Sequence, residues 1–334
     1  MHEVLNNLYV HTQGTYLHLE GDAIKASTQG QPPRRMPIFR IEAIYLFGSI
    51  GVSNDLIQRC GKDGRQIAWL TRAGKYSGAF QGMLNGNVLL RVDQHRNYSD
   101  PIRRLDLARM FVAGKISNSV QFTKDCIRFS GQLSVIHPPE KLTELLDEVR
   151  LVSDLNTLRG IEGYAARLHF ANLRKYCSKT DFNERSRRPP LDRPNSVLSF
   201  LYTLLRLRCE GALGSVGLDQ QIGFLHDIRP GRPALALDLM EEFRPLVDRL
   251  TATLFNRGQL KEKDFDYQVS GAVLLNDEGR RKVIEAWQEY SERAVQSRNL
   301  KGTYPMWLMP SLQAQLLART IRGDMDMYIP FGMK

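Results

Sequence analysis

The chain is poor in cysteine and has no paired cysteine motif. Of its 334 residues only 4 are cysteines, and Cys60, Cys126, Cys177 and Cys209 lie far apart with no CxxC pair. Structural zinc sites and disulfide frameworks need closely spaced or numerous cysteines, so the sequence predicts neither. Unpaired, sparse thiols favour a reducing, cytoplasmic location.

A long apolar run is also missing. The N-terminal stretch MHEVLNNLYVHTQG has no basic region followed by an apolar segment, and the most apolar later segment, LSFLYTLLRLRC, is interrupted by Arg206 and Arg208. We therefore expect no signal peptide and no membrane span. With 42% hydrophobic residues over this length, the composition is that of a globular protein long enough for two domains.

Negative charge is under-represented. The chain has 46 Lys and Arg against 36 Asp and Glu, a formal net charge of +10. About half of this surplus lies in residues 166–193, where eight basic residues accompany three acidic ones. A basic surplus attracts polyanions through phosphate contacts and counterion release, which favours a nucleic-acid partner without specifying it.

The hydrophobic pattern changes near residue 100. Short alternating segments broken by Gly14 and Gly21 predict strands and hairpins, with one helix capped by Ser53. From Asp100 and Pro101, a cap and a first-turn proline, helical spacing continues almost to the C-terminus. The prediction is an α+β protein with a β-rich N-terminal domain over residues 1–97 and an α-helical domain over residues 98–334.

One helix predicted after Pro233 carries an unusual group of acids. Its apolar stripe runs from Leu235 to Leu250, and Asp238, Glu241 and Glu242 cluster along its flank. One interpretation is a solvated face whose acids pair with nearby arginines. The other is a site that binds a cation.

A second acid, Glu162, lies on an apolar stripe. In the helix around RGIEGYAARLHF, Leu155, Leu158, Glu162 and Ala165 follow steps of three and four residues. A carboxylate there needs a compensating partner, either an arginine or a metal ion. The following Gly163 weakens a helix by about 1 kcal/mol relative to Ala, which favours the close approach of a backbone or a phosphate.

Among the 7 histidines, His226 is the one near these acids in the sequence. One imidazole with two or three carboxylates suits Mn²⁺ or Mg²⁺ better than zinc. Such an ion could polarise a phosphodiester. His169 is open to two roles, a satisfied core residue or a phosphate contact.

The stretch RSRRPPLDRPNSVLSF predicts an arginine-rich loop before a helix. Arg185, Arg187 and Arg188 form a candidate phosphate-binding loop. Asn195, just after Pro194, is the predicted N-cap of the next helix, a role that can coexist with DNA contact.

These elements together resemble one protein family. IEGYAARLHF, SRRPPLDRPNSVLSFLYTLL and GLDQQIGFLHDIRPGRPALALDLMEEFRP, in this order, are similar to the CRISPR-associated integrase, the metal-dependent adaptation endonuclease of CRISPR systems. The earlier stretches IFRIEAIYLFG and LARMFVAGKISN also fit this family. The resemblance extends from about residue 5 to the YIPF near the C-terminus, and is closest to the subtype I-C branch.

The resemblance implies a set of site residues. The family's metal ligands fall on Glu162, His226 and Glu241, with Asp238 as a supporting acid and Mg²⁺ or Mn²⁺ as the ion. It places the following residues at the DNA: Arg187, Arg188, Asn195 and Arg244.

The implied reaction is transesterification. The 3′-hydroxyl of a short DNA fragment attacks a phosphodiester at the leader-repeat end of a CRISPR array, with no covalent enzyme intermediate. The implied partners are double-stranded DNA, a second copy of the chain, a small ferredoxin-like CRISPR adaptation protein and an iron-sulfur CRISPR nuclease. Two other interpretations stay open: a structure-selective metal-dependent nuclease that does not integrate, and a non-catalytic basic DNA-binding scaffold.

Overall fold

A computed structural model describes residues 6–80, 82, 88–177, 180–297 and 302–333. The chain divides into two compact units. The first comprises residues 1–85 with 275–284, and the second residues 86–274 with 285–334.

The first unit is built on two four-stranded sheets and one helix. One sheet has the strand order β1-β5-β7-β8, and the other has the order β4-β3-β2-β6. Strand β5 pairs in parallel with β1 and β7, while β8 closes the sheet antiparallel to β7. The elements are β1 (Asn6–Val10), β2 (Tyr16–Glu20), β3 (Ala23–Ser27), β4 (Arg34–Pro37), β5 (Ile41–Phe47), β6 (Gly51–Val52), α1 (Asn54–Lys62), β7 (Gln66–Leu70) and β8 (Tyr76–Phe80).

Local sequence explains the hairpin and the helix of this unit. Gly21 has φ +60° and allows the tight turn between β2 and β3, where Glu20 pairs with Ala23. Ser53 caps α1 by accepting the Leu56 N–H at 3.2 Å. These two predictions are confirmed. The hairpin expected at Gly14 is wrong, since β1 and β2 belong to different sheets.

The second unit is mostly helical, which confirms the α+β class. Two short hairpins, β9 with β10 and β11 with β12, accompany the helices. The elements from residue 88 onward, of which the first half of α9 belongs to the first unit, are α2 (Val88–Ser99), α3 (Pro101–Ser130), α4 (Pro139–Leu151), α5 (Leu155–Tyr176), α6 (Arg193–Ser215), α7 (Ala234–Met240), α8 (Arg244–Asn256), β9 (Phe265–Tyr267), β10 (Val273–Leu275), α9 (Asp277–Glu292), β11 (Ala294–Gln296), β12 (Thr303–Pro305) and α10 (Met309–Arg322).

Helix α2 lies in the second unit, although the sequence pattern assigned residues up to 97 to the β-rich domain. It packs on α3 and α10. Leu90 is fully buried, and the Gln94 amide donates to the carbonyls of Asp219 at 2.8 Å and Ile222 at 2.9 Å. These contacts attach the segment to the helical unit.

The 30-residue helix α3 is the central element of the second unit. Asp100 caps it by accepting the N–H groups of Ile102 at 2.9 Å and Arg103 at 3.2 Å, and Pro101 occupies its first turn, as predicted. Helix α3 packs against α4, α5 and α8. None of the helices in the described part of the chain is long and apolar enough to cross a membrane.

The single helix predicted from Pro233 to Leu250 is wrong. Helix α7 ends at Met240, a 3-10 turn covers Glu241–Phe243, and α8 begins at Arg244. Pro245 explains the interruption, because it has no N–H for the carbonyl of Glu241 and its ring crowds that carbonyl. Instead, the Arg244 N–H bonds to the Glu241 carbonyl.

Candidate metal centre

One buried carboxylate organises the loop that carries His226. Asp238 on α7 is fully buried. Its Oδ2 atom accepts the backbone N–H of Phe224 at 2.6 Å and that of Leu225 at 3.0 Å. Its Oδ1 atom accepts the N–H of His226 at 2.9 Å. Three backbone donors on one carboxylate fix the loop conformation.

The loop can approach α7 this closely because residue 223 is glycine. A Cβ at Gly223 would lie 2.7 Å from the carbonyl carbon of Ala234 and 2.7 Å from Oδ2 of Asp238. Any side chain there would push the loop away from Asp238. No role was predicted for Gly223, although its place just before the FLH triplet could have indicated a close approach of the backbone.

Two arginines hold the same loop from neighbouring helices. Arg104 of α3 donates from Nε to the carbonyl of Phe224 at 3.1 Å. Arg159 of α5 donates from Nε to the carbonyl of Leu225 at 3.0 Å and pairs with Asp227 at 2.5 Å. The Leu225 side chain packs into the core between these helices. The backbone before His226 is therefore held by side chains on both its N–H and its carbonyl groups, and neither arginine was predicted.

The His226 ring is oriented by the same Asp238. Its Nδ1 lies 2.6 Å from Oδ1 of Asp238. Because an ionised carboxylate only accepts, Nδ1 donates to Asp238, and Nε2 is the ring nitrogen left to bind a metal when the imidazole is neutral. That Nε2 lies 3.9 Å from Oε1 of Glu241. A carboxylate that orients a histidine in this way is the usual support for a histidine that binds metal.

Glu241 is an ionised carboxylate held inside the protein. It is 2% exposed on the 3-10 turn. Its Oε1 lies 2.8 Å from Nε of Arg244, and its Oε2 lies 2.7 Å from Nζ of Lys115. Burial would raise the pKa of Glu241, but the charges of Arg244 and Lys115 outweigh it and lower the pKa to about 2.

Lys115 joins Glu241 to Glu162. Its ammonium on α3 also pairs with Oε1 of Glu162, which projects from α5 with its side chain 26% exposed. Glu162 therefore pairs with a cationic side chain, as its place on the apolar stripe demands, and that side chain is a lysine instead of the expected arginine. Lys115 itself is 12% exposed and was not predicted. No described residue makes the close approach expected at Gly163, since a Cβ there would meet nothing within 4 Å.

The donor set suits a divalent cation that prefers oxygen ligands. In the part of the chain that the structure describes, no three His, Cys, Asp or Glu side chains already form a metal cluster. A positive charge nevertheless lies between the carboxylates of Glu162 and Glu241, and Nε2 of His226 faces Glu241. Oε2 of Glu241 is buried without a hydrogen bond of good geometry, so its contact with Lys115 is an ion pair only. Two carboxylates and an imidazole nitrogen are the ligands expected for such an ion.

Arg244 supports this centre from inside the protein. Its side chain is 14% exposed and lies beside Glu241. Its guanidinium also lies over the Tyr202 ring, 4.9 Å from the ring centroid. Burial opposes its charge, but the Glu241 carboxylate keeps the pKa of Arg244 above its usual range. The main contact of the Arg244 side chain is therefore its ion pair with Glu241.

His169 is a buried core residue whose Nε2 is paired, while its buried Nδ1 has no hydrogen-bond partner among the described residues. Its Nε2 lies 2.8 Å from Oδ2 of Asp248, and the Tyr202 hydroxyl donates to Oδ1 of the same carboxylate at 2.5 Å. His169 is 4% exposed and Asp248 is 1% exposed. Of the two roles open to His169, the structure supports the core role.

Asn195 is not the N-cap of α6. Asp192 is the cap, and it accepts the Asn195 N–H at 2.7 Å. Asp192 lies directly before Arg193 and Pro194, and an N1 or N2 proline often follows a cap. The predicted position was therefore three residues too late.

The buried Asn195 side chain organises the arginine-rich loop before α6. Its Oδ1 accepts from Nη1 of Arg185 at 2.7 Å and from the Ser186 N–H at 3.1 Å. Its Nδ2 donates to the Glu184 carbonyl at 2.7 Å and to Asp192 at 2.6 Å. Arg187 and Arg188 follow this anchored segment and are exposed.

Comparison with known proteins relates the chain to one family. The sequence model of the family described as CRISPR associated protein Cas1 matches residues 8–289. A CRISPR-associated endonuclease Cas1 of Moorella thermoacetica is 40% identical, over 99% of this chain and 99% of its own. Another, of Rhodospirillum rubrum, is 41% identical over 100% of both chains. A Cas4 exonuclease/Cas1 endonuclease fusion of Geobacter sulfurreducens is 31% identical, over 97% of this chain and 60% of the fusion.

Solved structures share the fold at lower identity. A Cas1 protein from Thermotoga maritima aligns with a TM-score of 0.82 at 24% identity, over 96% of this chain and 97% of its own. A casposase bound to its integration product aligns with a TM-score of 0.85 at 23% identity, over 97% and 93%. A chain of a Cas6-RT-Cas1–Cas2 complex aligns with a TM-score of 0.81 at 21% identity, over 100% of this chain and 37% of its own.

Proposed function

The chain belongs to the Cas1 family of CRISPR-associated endonucleases, and we propose that it joins the 3′-hydroxyls of short DNA fragments to phosphodiesters at the leader-repeat end of a CRISPR array. The observation that carries this proposal is that one ammonium, that of Lys115, pairs with both Glu162 and Glu241, while Nε2 of His226 lies 3.9 Å from Oε1 of Glu241. The fold shared with a casposase supports the same class of reaction.

We propose Glu162, His226 and Glu241 as the ligands of an Mg²⁺ or Mn²⁺ ion. The imidazole offers its Nε2, since its Nδ1 is bonded to Asp238, and the low pKa of Glu241 keeps that carboxylate ionised. A divalent cation held there supplies Lewis-acid stabilisation of charge on the phosphate under attack. Asp238 is the supporting acid, since it fixes both the ring and the backbone of His226.

The reaction exchanges one phosphate ester bond for another. The 3′-oxygen of the fragment forms a bond to a phosphorus of the array strand. The bond between that phosphorus and the 3′-oxygen of the array strand breaks, and the proton of the attacking hydroxyl passes to the oxygen that leaves. No side chain forms a covalent bond to DNA in this scheme. The chain's own residues position the ligands and keep them ionised, which is the work of Asp238, Lys115 and Arg244.

We propose that the basic segment 166–193 contacts the DNA backbone. Arg187 and Arg188 are exposed beside an anchored loop and can reach phosphates. Asn195 is fully buried, so its contribution to DNA binding is to hold this loop in place. Arg244 contributes through Glu241 and lies close enough to the centre to face a phosphate bound there.

The proposed assembly contains two copies of this chain, paired through the β-rich N-terminal domain, with a small ferredoxin-like adaptation protein of the Cas2 type. The solved complex that contains Cas1 and Cas2 supports this partner. The Cas4 exonuclease fused to a Cas1 relative supports a trimming nuclease, for which we propose an iron-sulfur enzyme of a subtype I-C system. The DNA substrates of the proposed assembly are the fragment and the leader-repeat duplex.

A second candidate function is a DNA-binding scaffold without chemistry. The observation that favours it is the ion pair between Lys115 and Glu162, because a structural pair would explain this acid without any metal. A third candidate, a nuclease that cuts branched DNA without joining, would use the same centre with water in place of the 3′-hydroxyl.

One assay separates the three. Purified protein with its Cas2 partner receives a fluorescent 3′-hydroxyl duplex and a supercoiled plasmid with leader and repeat, in Mn²⁺ or in EDTA. We expect label to join the plasmid with wild type in Mn²⁺, and no product in EDTA or with Glu162→Gln. The matched control is Glu148→Gln, an exposed acid of α4, which should join normally. Nicking without joining would favour the nuclease, and binding without product the scaffold.

A further inference from the structure

Residues 328–333, near the C-terminus, are bound to the acid next to Glu241. Glu242 is fully buried. Its Oε1 accepts the hydroxyl of Tyr328, and its Oε2 accepts the N–H of Phe331. The Gln313 amide donates to the same Oε2 at 3.2 Å. Glu242 therefore points away from the metal centre and into the C-terminal segment.

Helix α3 makes a second attachment to the same two elements. The Asn118 amide donates to the carbonyl of Glu242 at 2.7 Å and to that of Phe331 at 2.9 Å. Its Oδ1 accepts the Met333 N–H at 2.7 Å. One buried side chain thus ties α3, the 3-10 turn and the C-terminal segment together.

Packing brings the three elements together at Gly114, the residue before Lys115. A Cβ at Gly114 would lie 2.8 Å from Cβ of Pro330 and 3.1 Å from Cβ of Glu242. The Phe331 ring stacks on Phe243, with centroids 5.2 Å apart and planes at 20°. Because Gly114 has no side chain, Pro330 and Glu242 can approach helix α3 this closely.

The 3-10 turn depends on such external contacts. It contains only three residues, and no side chain caps its N-terminal end. Within the turn, the described closing bond is the one from the Arg244 N–H to the Glu241 carbonyl. Short 3-10 segments have poor internal hydrogen bonding, so neighbours must fix their orientation.

We propose that residues 328–333 are a positioning element of the metal centre. By holding Glu242 and the face of α3 next to Lys115, the segment sets the place of the Glu241 carboxylate relative to His226 and Glu162. The inference rests on the proposed metal site. It adds that a part of the chain far from every ligand in sequence controls the affinity of that site.

The test measures Mn²⁺ affinity on the full chain by electron paramagnetic resonance, together with urea unfolding. Glu242→Ala and Tyr328→Phe remove attachments of the segment, and a chain that ends at Met327 removes the segment itself. Partners behind metal ligands typically change affinity by about 10- to 100-fold. We expect Kd for Mn²⁺ to rise about 10-fold or more in Glu242→Ala and the shortened chain, and a few-fold in Tyr328→Phe. Glu242→Gln, which keeps the shape of the side chain, should restore most of the loss.

Two controls separate positioning from general destabilisation. Met327→Ala changes an exposed side chain beside the segment and should leave Kd unchanged. Leu142→Ala opens a cavity in the core at α4, and it should lower the urea midpoint without changing Kd. Folded Glu242→Ala and Tyr328→Phe proteins with wild-type Kd would overturn the inference.

The same titration keeps the proposed site and the inference apart. Wild type should bind one Mn²⁺ per chain, and Glu241→Gln should lose it. If wild type binds none, the proposed metal centre fails and the inference with it. If wild type binds and Glu241→Gln does not, but the shortened chain binds as wild type does, only the inference fails.

Discussion

Lys115 and Glu241 form an ion pair inside the protein, with Nζ and Oε2 2.7 Å apart. The same ammonium also pairs with Glu162. One lysine thus balances two carboxylates that come from different elements of the helical unit, the 3-10 turn and α5. This arrangement keeps the two proposed metal ligands close together before any metal binds.

Replacing Lys115 with methionine should destabilise the metal-free protein and strengthen its response to metal. Removing one partner of a buried pair costs about 3 to 5 kcal/mol, because a charge is left without compensation. The ammonium would also no longer compete with the cation. We expect a lower unfolding temperature in EDTA, and a larger rise on addition of Mn²⁺ than in wild type. Lys124→Met, at an exposed site on the same helix, is the control. An unchanged unfolding temperature in EDTA would contradict the prediction.

Asp238→Asn should weaken metal binding although Asp238 is not a ligand. The carboxylate accepts three backbone N–H groups and orients the His226 ring. An asparagine has one acceptor oxygen, and its NH₂ group would face some of the N–H groups that now donate to the carboxylate. We expect Kd for Mn²⁺ to rise about 10- to 100-fold, measured by calorimetry. Asp147→Asn, with a side chain that is 70% exposed, should bind as wild type does. Equal affinity in both variants would show that the loop does not depend on this carboxylate.

Glu242 should make the protein less stable as the pH rises. Burial raises its pKa from 4.5 to about 8, against hydrogen bonds from Tyr328 and Phe331 that lower it. Between these two values the folded state holds a proton that the unfolded state has released. The free energy of unfolding therefore falls with rising pH in that window, by at most about 1.4 kcal/mol per pH unit from this group. Below 4.5 both states are protonated, so the contribution is constant.

Urea unfolding of wild type and Glu242→Gln at pH 5 and pH 8 measures this effect. The amide does not titrate, so its variant should lose less stability than wild type between the two values. A parallel loss in both proteins would assign the pH dependence to other groups.

Arg187 and Arg188 should contribute to DNA affinity without regard to sequence. Replacing both with alanine removes two exposed charges, and the slope of log affinity against log salt should become shallower by about 1 to 2. Fluorescence anisotropy across a salt series measures both quantities. Arg150→Ala, an exposed arginine of α4, is the control. A change in affinity that differs between unrelated DNA sequences would contradict a role at the backbone.

Local patterns predicted the elements that depend on neighbouring residues. The caps at Ser53 and Asp100 and the turn at Gly21 each depend on a residue from a small set at one position, so the sequence identifies them. The cap of α6 was placed at Asn195, because Asp192 and Asn195 both satisfy the composition rule. Only the structure shows which of the two lies outside the helix.

Long-range pairing could not be predicted. Lys115 meets Glu162 and Glu241 from a different helix, and nothing in the spacing of α3 shows which acid its ammonium will face. The interruption at Pro245 had a local cause, but the continuous apolar stripe from Leu235 to Leu250 concealed it. Glu242 bonds to Tyr328 and Phe331, which lie 86 and 89 residues further along the chain, so this contact exists only in the folded protein.

The most direct test of the central claim is anomalous diffraction at the manganese edge from crystals of the full chain soaked in Mn²⁺. The account predicts one strong peak bonded to Glu162, Nε2 of His226 and Glu241, with the Lys115 ammonium moved from its place between the carboxylates. A Lys115 that stays paired with both acids, with no peak beside His226, would contradict the assignment of these residues as a metal centre.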